Sequence, residues 1–283
     1  MKIGLGLPIA DPDVLLTWAR CADVSDFSTL GMLDRLVYRN PDPLIALAGL
    51  AAATARIRLQ TEVLIAPLRQ TAVLAKACAT LDRLAGGRFT LGVGTGGRLD
   101  DYVAAGVDIR QRGRRLDEQM ARLRQIWAGE SYAEGAGPIG PAPLRARGPE
   151  VIFGGFAPAA IERVARWGDG FLAAAHYEPS VDQLFRDVER SWQQAGREGR
   201  PRLIAQVNAV LGPDRTLDQA STRISDYYAF LGDTSGVVDS MLATPAAIRR
   251  AVTTFSDLGA DEVIFYCWSP DPEQIERIAE TVF

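Results

Sequence analysis

Residues 57–96 read IRLQTEVLIAPLRQTAVLAKACATLDRLAGGRFTLGVGTG. The stretch opens on a run rich in branched apolar residues, Ile57–Ile65, and ends on another, Arg88–Val93. Between them Thr71–Leu84 repeats its apolar residues at helical spacing and stops at Gly86-Gly87, where a helix is free to turn left-handed. Strand, helix and strand joined by short connections make a parallel crossover unit.

The same alternation runs outward in both directions. Toward the N-terminus, strands are expected at Lys2–Leu7 and Thr29–Leu33. Helices are expected at Asp13–Val24, behind Asp11 and Pro12, and at the alanine-rich Pro43–Thr54. Toward the C-terminus follow a helix at Gly113–Trp127, a strand at Val151–Phe153, a helix at Pro158–Trp167 and a strand at Gly170–Ala174. Then come a helix at Val181–Ala195, a strand at Leu203–Leu211, helices near Asp218–Phe230 and at Thr244–Leu258, a strand at Glu262–Cys267 and a closing helix at Asp271–Thr281. Eight strand-then-helix units, with no insertion large enough for a second domain, select a closed (β/α)8 TIM barrel spanning residues 1–283. The one break in composition is residues 129–149, GESYAEGAGPIGPAPLRARGP, rich in glycine and proline and without periodicity. A loop of that length is expected to be either disordered or functional, and as a functional segment it could act as a lid over the active site.

With 283 residues, 47% of them hydrophobic and 23% charged, the chain has the make-up of a soluble globular protein. A net charge of −4 does not invite nucleic acid or an anionic membrane. Cys21, Cys78 and Cys267 are odd in number and far apart, so they form neither a disulfide framework nor a zinc site, and no metal is expected. The N-terminus meets a proline and two acids too early for a signal peptide, and no apolar run approaches a membrane span. A cytoplasmic protein is the expectation.

In such a barrel the active site lies at the C-terminal ends of the strands. The residues expected there are Asp34 and Arg35 after the second strand, Glu62 and Val63 at the end of the third, and Thr95, Gly96, Gly97 and Arg98 after the fourth. Gly154, Gly155 and Phe156 follow the fifth, His176 the sixth, Gln206 and Asn208 fall at the seventh, and Tyr266 and Trp268 at the eighth. The cluster GVGTGG (92–97) lacks the lysine of a phosphate-binding Walker loop and meets the dinucleotide fingerprint only loosely. Gly154-Gly155 precedes a helix, whose first N–H groups offer a phosphate seat; a plain tight turn is the competing reading. Glu62 is a carboxylate in an apolar strand. Pointing into the mouth it would be held protonated and could donate or relay a proton; pointing outward it would pair with an arginine. His176 is the sole histidine. Arg98, Arg110, Arg112, Arg114 and Arg115 are either a solvated helix start or a site for an anionic tail.

Residues 61–96, and ATLDRLAGGRFTLGVGTG within them, resemble the signature segment of the bacterial luciferase-like superfamily. KIGLGLP (2–8), WAGESYAEG (127–135), VIFGGFAPAAIERVARWGDGF (151–171) and TPAAIRRAVTTFSDLGADEVIFY (244–266) extend the likeness, in order, over nearly the whole chain. The resemblance implies a barrel holding FMN or the 8-hydroxy-5-deazaflavin coenzyme F420 at its mouth. It implies a non-prolyl cis peptide at Glu62-Val63, backing the ring. The cofactor phosphate falls between Thr95-Gly96, with Arg98, and Gly154, Gly155 and Phe156.

The sequence departs from that pattern in several places. The Asp-His of many deazaflavin members is here Asp34-Arg35, and a glutamate two residues beyond the threonine is here Gly97. Thr95 stands where FMN luciferases carry arginine, and Phe156, Ala157 and Ala159 offer no hydroxyl to a phosphate. The activity implied is a flavin- or deazaflavin-dependent oxidoreductase, by monooxygenation or by hydride transfer, on a small organic substrate. FMN is placed first on the breadth of the family. Glu62, His176, Asp34 and Arg35 are the polar candidates for catalysis, and Tyr266 and Trp268 the substrate walls. A separate flavin reductase and a homodimer are the partners implied. A degenerate, non-catalytic flavin-binding barrel is the alternative, and a hydrolase or aldolase lacks the lysine or metal cluster it would need at the mouth.

Overall fold

The computed structural model describes residues 1–175 and 180–283. In chain order its elements are β1 (Lys2–Gly6), α1 (Pro12–Asp23), β2 (Thr29–Met32), α2 (Pro43–Ala53), β3 (Arg58–Thr61), β4 (Leu64–Ile65), α3 (Thr71–Leu84), β5 (Phe89–Gly94), α4 (Leu99–Ala105), α5 (Arg112–Trp127), β6 (Ser131–Ala133) and β7 (Ala136–Pro138). They continue with β8 (Glu150–Gly154), α6 (Pro158–Trp167), β9 (Gly170–Ala174), α7 (Val181–Gln194), β10 (Arg202–Ala209), α8 (Asp214–Tyr228), α9 (Ser235–Asp239), α10 (Pro245–Asp257), β11 (Glu262–Cys267) and α11 (Glu273–Val282).

The sheet runs β3-β2-β1-β11-β10-β9-β8-β5-β4, every pair parallel, and β3 also pairs with β5 through Leu59↔Phe89 and Gln60↔Thr90. That pairing closes the ring. With β3 and β4 as two halves of one strand, the barrel has the eight parallel strands expected. Residues alternate between its faces. Outward side chains such as Leu5, Leu59, Leu91, Phe171 and Phe265 join the helices in one continuous core. Inward, Ile152, Leu172, Ile204 and Ile264 form a separate buried layer on β8–β11. Below it, at the N-terminal end, Arg58 and Arg202 bond Glu150 at 2.9 and 2.8 Å, Arg202 also pairs with Glu262, and Thr90 donates to Glu150 at 2.7 Å. Charge is admitted here because each carboxylate has its partners.

In the opposite half the strands carry glycine at Gly6, Gly31 and Gly94, and the side chains of Tyr266, Glu62 and Val63 take up the space. A Cβ at Gly6 would stand 2.1 Å from the Tyr266 ring, and one at Gly92 would stand 1.8 Å from the Thr61 carbonyl oxygen. These strands approach one another, and their neighbours' side chains, only because those positions are glycine.

Three features differ from the sequence expectation. The run Ile57–Ile65 breaks at Glu62-Val63, which leave the ladder between β3 and β4. A short helix, α4, forms where a loop was expected; its Leu99 and Val103 are exposed, which hides its periodicity. The proposed lid 129–149 connects the end of α5 to the start of β8, so it lies at the N-terminal face, opposite the mouth. It folds into the antiparallel pair β6–β7 and docks on α3, where Lys76 donates to Gly140 O at 2.7 Å, Arg83 to Ala142 O at 3.1 Å, and Leu144 N to Asp82 at 2.8 Å. None of its residues lines the cavity at the mouth, so a lid over the active site is corrected to a bracket beneath the barrel.

Two glycine-to-alanine variants probe this frame by urea unfolding. Gly49→Ala, inside α2 with open space around the new methyl, gains about 0.5–1 kcal/mol. Gly92→Ala, which drives a methyl into the Thr61 carbonyl, loses about 1–3 kcal/mol or more.

Candidate active site

A cavity of about 500 Å³ opens at the C-terminal ends of the strands, within the range of about 300–1,000 Å³ typical of small-molecule sites. Its floor is the break in the third strand, where the Glu62-Val63 peptide is cis. The two side chains splay apart, each into a notch left by glycine. Val63 fills the space over β5 and β8: its methyls lie 2.6 and 2.9 Å from where Cβ atoms of Gly94 and Gly154 would be. Glu62 leans over β2, its Oε1 only 1.8 Å from a Cβ position on Gly31.

Glu62 is 3% exposed. Gln60 Nε2 donates to its Oε1 at 3.3 Å, while Oε2 is buried without a partner. Burial, and then the charge of Glu262 lower in the barrel, hold this carboxyl protonated well above the usual carboxylate range. Of the two readings open in the sequence, the inward one holds. The acid lines the cavity as part of its floor, almost wholly buried there.

Asp34 lines the cavity and is bound on both oxygens. Oδ2 accepts from Ile65 N at 2.9 Å, fastening β4, and Arg69 donates to Oδ1 at 3.1 Å. Burial raises its pKa despite the pull of Arg69. Arg35, whose side chain is 5% exposed, bonds Asp100 at 2.7 Å and Asp101 at 3.3 Å. Asp101 in turn accepts from Leu36 N and Val37 N. The arginine that replaces the family's histidine therefore clamps the β2 loop to α4. Arg98 also lines the cavity, but its guanidinium donates to the Tyr227 carbonyl and stacks 3.9 Å from the Phe230 ring centre. It braces the wall made by Tyr227 and Phe230, in the same cavity as the expected phosphate seat. His176 lies outside the described residues.

Thr95, Gly96 and Gly97 lie beside Gly154, Gly155 and Phe156, at the ends of the paired strands β5 and β8, and line the cavity with them. Gly96 has φ +64° and Gly155 φ +146°, so both bends need glycine. A Cβ at Gly97 would meet nothing within 4 Å. The turn at 154–156 leads into α6, whose N-terminus has no side-chain cap. Backbone N–H groups there remain to receive an anion.

Tyr266 and Trp268 are not the walls expected. They are 1% and 2% exposed and line no part of the cavity. Tyr266 Oη accepts from Leu33 N at 3.3 Å, and Trp268 Nε1 donates to Asn208 Oδ1 at 2.8 Å. Tyr227 and Tyr228 pack against Trp268, with ring centres 5.4 and 6.1 Å away, and take its place at the surface of the cavity together with Phe230 and Leu231. The run YYAFL (227–231) carried the signal: its apolar side chains occupy more than one face of a helix, and Phe230 stays 50% exposed. Gln206 completes the lining from β10. Among the described residues no group of three His, Cys, Asp or Glu side chains is placed to hold a metal, and no helix is long and apolar enough to cross a membrane.

Residues 4–264 match the family model of the luciferase-like monooxygenases. The chain belongs to this family. Among its relatives in that family, an F420-dependent hydroxymycolic acid dehydrogenase of Mycobacterium tuberculosis is 30% identical over 220 residues, 74% of this chain and 58% of that one. An uncharacterized protein of the same organism is 30% identical over 209 residues, covering 71% and 73%. In three dimensions this luciferase-like barrel superposes on a monooxygenase from Streptomyces bottropensis with a TM-score of 0.81 at 22% identity, covering 99% and 97% of the two chains. It superposes equally, at 0.81 and 16% identity over 100% and 99%, on an F420-dependent secondary alcohol dehydrogenase in complex with an F420–acetone adduct. Family and neighbours together support an oxidoreductase of the flavin- and deazaflavin-using kind.

The state of Glu62 is testable through stability. A carboxyl kept protonated in the fold ionises in the unfolded chain above the usual carboxylate range. Its contribution is therefore full at low pH and declines as pH rises, until the folded group also ionises. Urea unfolding from pH 4 to 8 should show Glu62→Gln gaining on the wild type by up to about 1.4 kcal/mol per pH unit over that interval. Parallel curves for the two proteins would contradict a protonated Glu62.

Proposed function

We propose that this protein is a deazaflavin-dependent oxidoreductase, transferring hydride between F420 and a small, uncharged organic substrate. The observation that carries the reading is the seat at 95–97 and 154–156. Two glycine-built bends stand side by side at the ends of β5 and β8, the second leading into an uncapped helix N-terminus, in a cavity whose floor is the Glu62-Val63 break. A phosphate-bearing ring cofactor fits that donor set. It calls for close backbone approach, helix N–H groups for the anion, and apolar surface for the ring, which Val63, Ile65 and Leu172 supply.

A bound deazaflavin supplies a carbon that gives or takes hydride and does not react readily with oxygen. The protein's part is placement. Val63 supports the ring from below. Gly97 and Gly155 admit the chain that carries the phosphate. Tyr227, Tyr228, Phe230 and Leu231 keep water from the substrate side. The exposed guanidiniums of Arg110 and Arg114, at the start of α5 on the same face, suit an acidic tail leaving the mouth. The order expected from sequence, FMN first, is reversed in this reading because two of the sequence relatives are F420-dependent dehydrogenases. FMN is the second reading, favoured by the fold's likeness to FMN-containing and other monooxygenases. A partner reductase would then be required.

Fluorescence titration with F420, FMN and reduced FMN tests the proposal. F420 is expected to bind most tightly. Failure of all three below about 1 mM overturns the redox reading, and tight FMN binding without F420 moves it to the second. Gly97→Leu, which has room to fold, should fill the seat and weaken the bound cofactor at least about tenfold, or 1.4 kcal/mol. Unchanged affinity would refute the seat.

A further inference from the structure

The N-terminal face carries a second cleft, of about 240 Å³, lined by Arg124, Arg147, Arg166 and Arg197 with Trp167 and Asp169. It lies at the end of the barrel opposite the mouth. Arg124 is in the last turn of α5, Arg166 and Trp167 end α6, Arg197 follows α7, and Arg147 comes from the 129–149 bracket. Four guanidiniums thus surround one carboxylate, on a chain whose net charge is −4. That carboxylate is partly spent: Asp169 Oδ2 accepts from Val151 N at 2.8 Å and stands 3.9 Å from Arg124.

Capping accounts for half of the cluster. Arg124 donates to the Trp167 carbonyl at 2.7 Å, and Arg197 donates to Ala165 O and Gly168 O at 2.8 and 3.0 Å, which satisfies the C-terminal end of α6. Arg147 and Arg166 have no such task. Both are exposed, neither bonds a carboxylate among the described residues, and Arg166 stands 4.8 Å over the Trp167 ring. Their charges add to a site already positive. Burial, and the repulsion of Arg147 and Arg197, outweigh the pull of Asp169 and ease the proton of Arg124. Like charges gathered in a cleft are relieved by an anion.

We propose that this cleft is a binding site for a small oxyanion carrying two or more charges, with the chemistry of a phosphate monoester or diphosphate. The planar forks of Arg147 and Arg166 engage its oxygens, with Arg124 and Arg197 behind them. The occupant ties residue 147 of the bracket to the end of α6. The site is independent of the redox cavity and does not rest on the cofactor assigned there.

The test is calorimetric titration of the full chain with pyrophosphate at fixed ionic strength, alongside intrinsic tryptophan fluorescence. The wild type should saturate and its tryptophan emission change. The double variant Arg147→Ala/Arg166→Ala, altered only at exposed side chains, should bind at least tenfold more weakly. Gly97→Leu should bind as the wild type does. Three results would overturn the proposal: no saturable binding up to millimolar pyrophosphate, an equal response to sodium chloride, or undiminished binding in the double variant. Loss of binding in Gly97→Leu would overturn it too, by placing the anion at the mouth.

Discussion

Everything at the mouth depends on how the third strand meets the fourth. The Thr61 carbonyl lies where a side chain at position 92 would begin, and the Thr61 hydroxyl donates to Gly92 O at 2.6 Å. That close pairing lets the chain stop following the ladder at Thr61 and rejoin it at Leu64 without opening the barrel. The two residues released between these points are the ones that form the cavity floor. A bulkier residue at 92 would push the strands apart, and Glu62 and Val63 would lose the notches at Gly31, Gly94 and Gly154. Glycine in these strands is what makes an interior large enough to hold a ligand, where branched side chains elsewhere fill the barrel.

The same economy explains the chemistry held in the floor. Glu62 has one neighbour to satisfy one oxygen and a low-dielectric setting for the other, so neutrality is the state it can hold. By contrast Asp34, equally buried, is anchored by a backbone N–H and by Arg69. The two acids at the mouth have different work: one fastens β4, the other keeps a proton. Arg35 and Arg98, both expected to face a ligand, spend their charge on the wall that encloses it.

Much of the architecture was legible in the sequence because it rests on period and punctuation. The branched runs, the helical repeats and the glycines at 86–87 and 154–155 announce eight units, and the likeness around residues 61–96 locates the break at Glu62-Val63. What escaped was settled by partners distant in sequence. Nothing in the run around Arg35 shows that Asp100 and Asp101, some 65 residues on, will claim it. Tyr266 and Trp268 sit at strand ends as expected, yet α8 arrives from elsewhere and covers them with Tyr227 and Tyr228. The 129–149 segment was misplaced for a topological reason. Composition marks a long connection, but only its position between a helix and the next strand tells which face it must occupy.

That position has a practical side. The tip of the β6–β7 hairpin, at Glu134-Gly135, is exposed and stands on the face away from the cavity. A label, a tether to a surface or a fused electron-supplying domain could be spliced there while the mouth keeps its shape and its access. The barrel thus offers a handle on one end and a reaction vessel on the other.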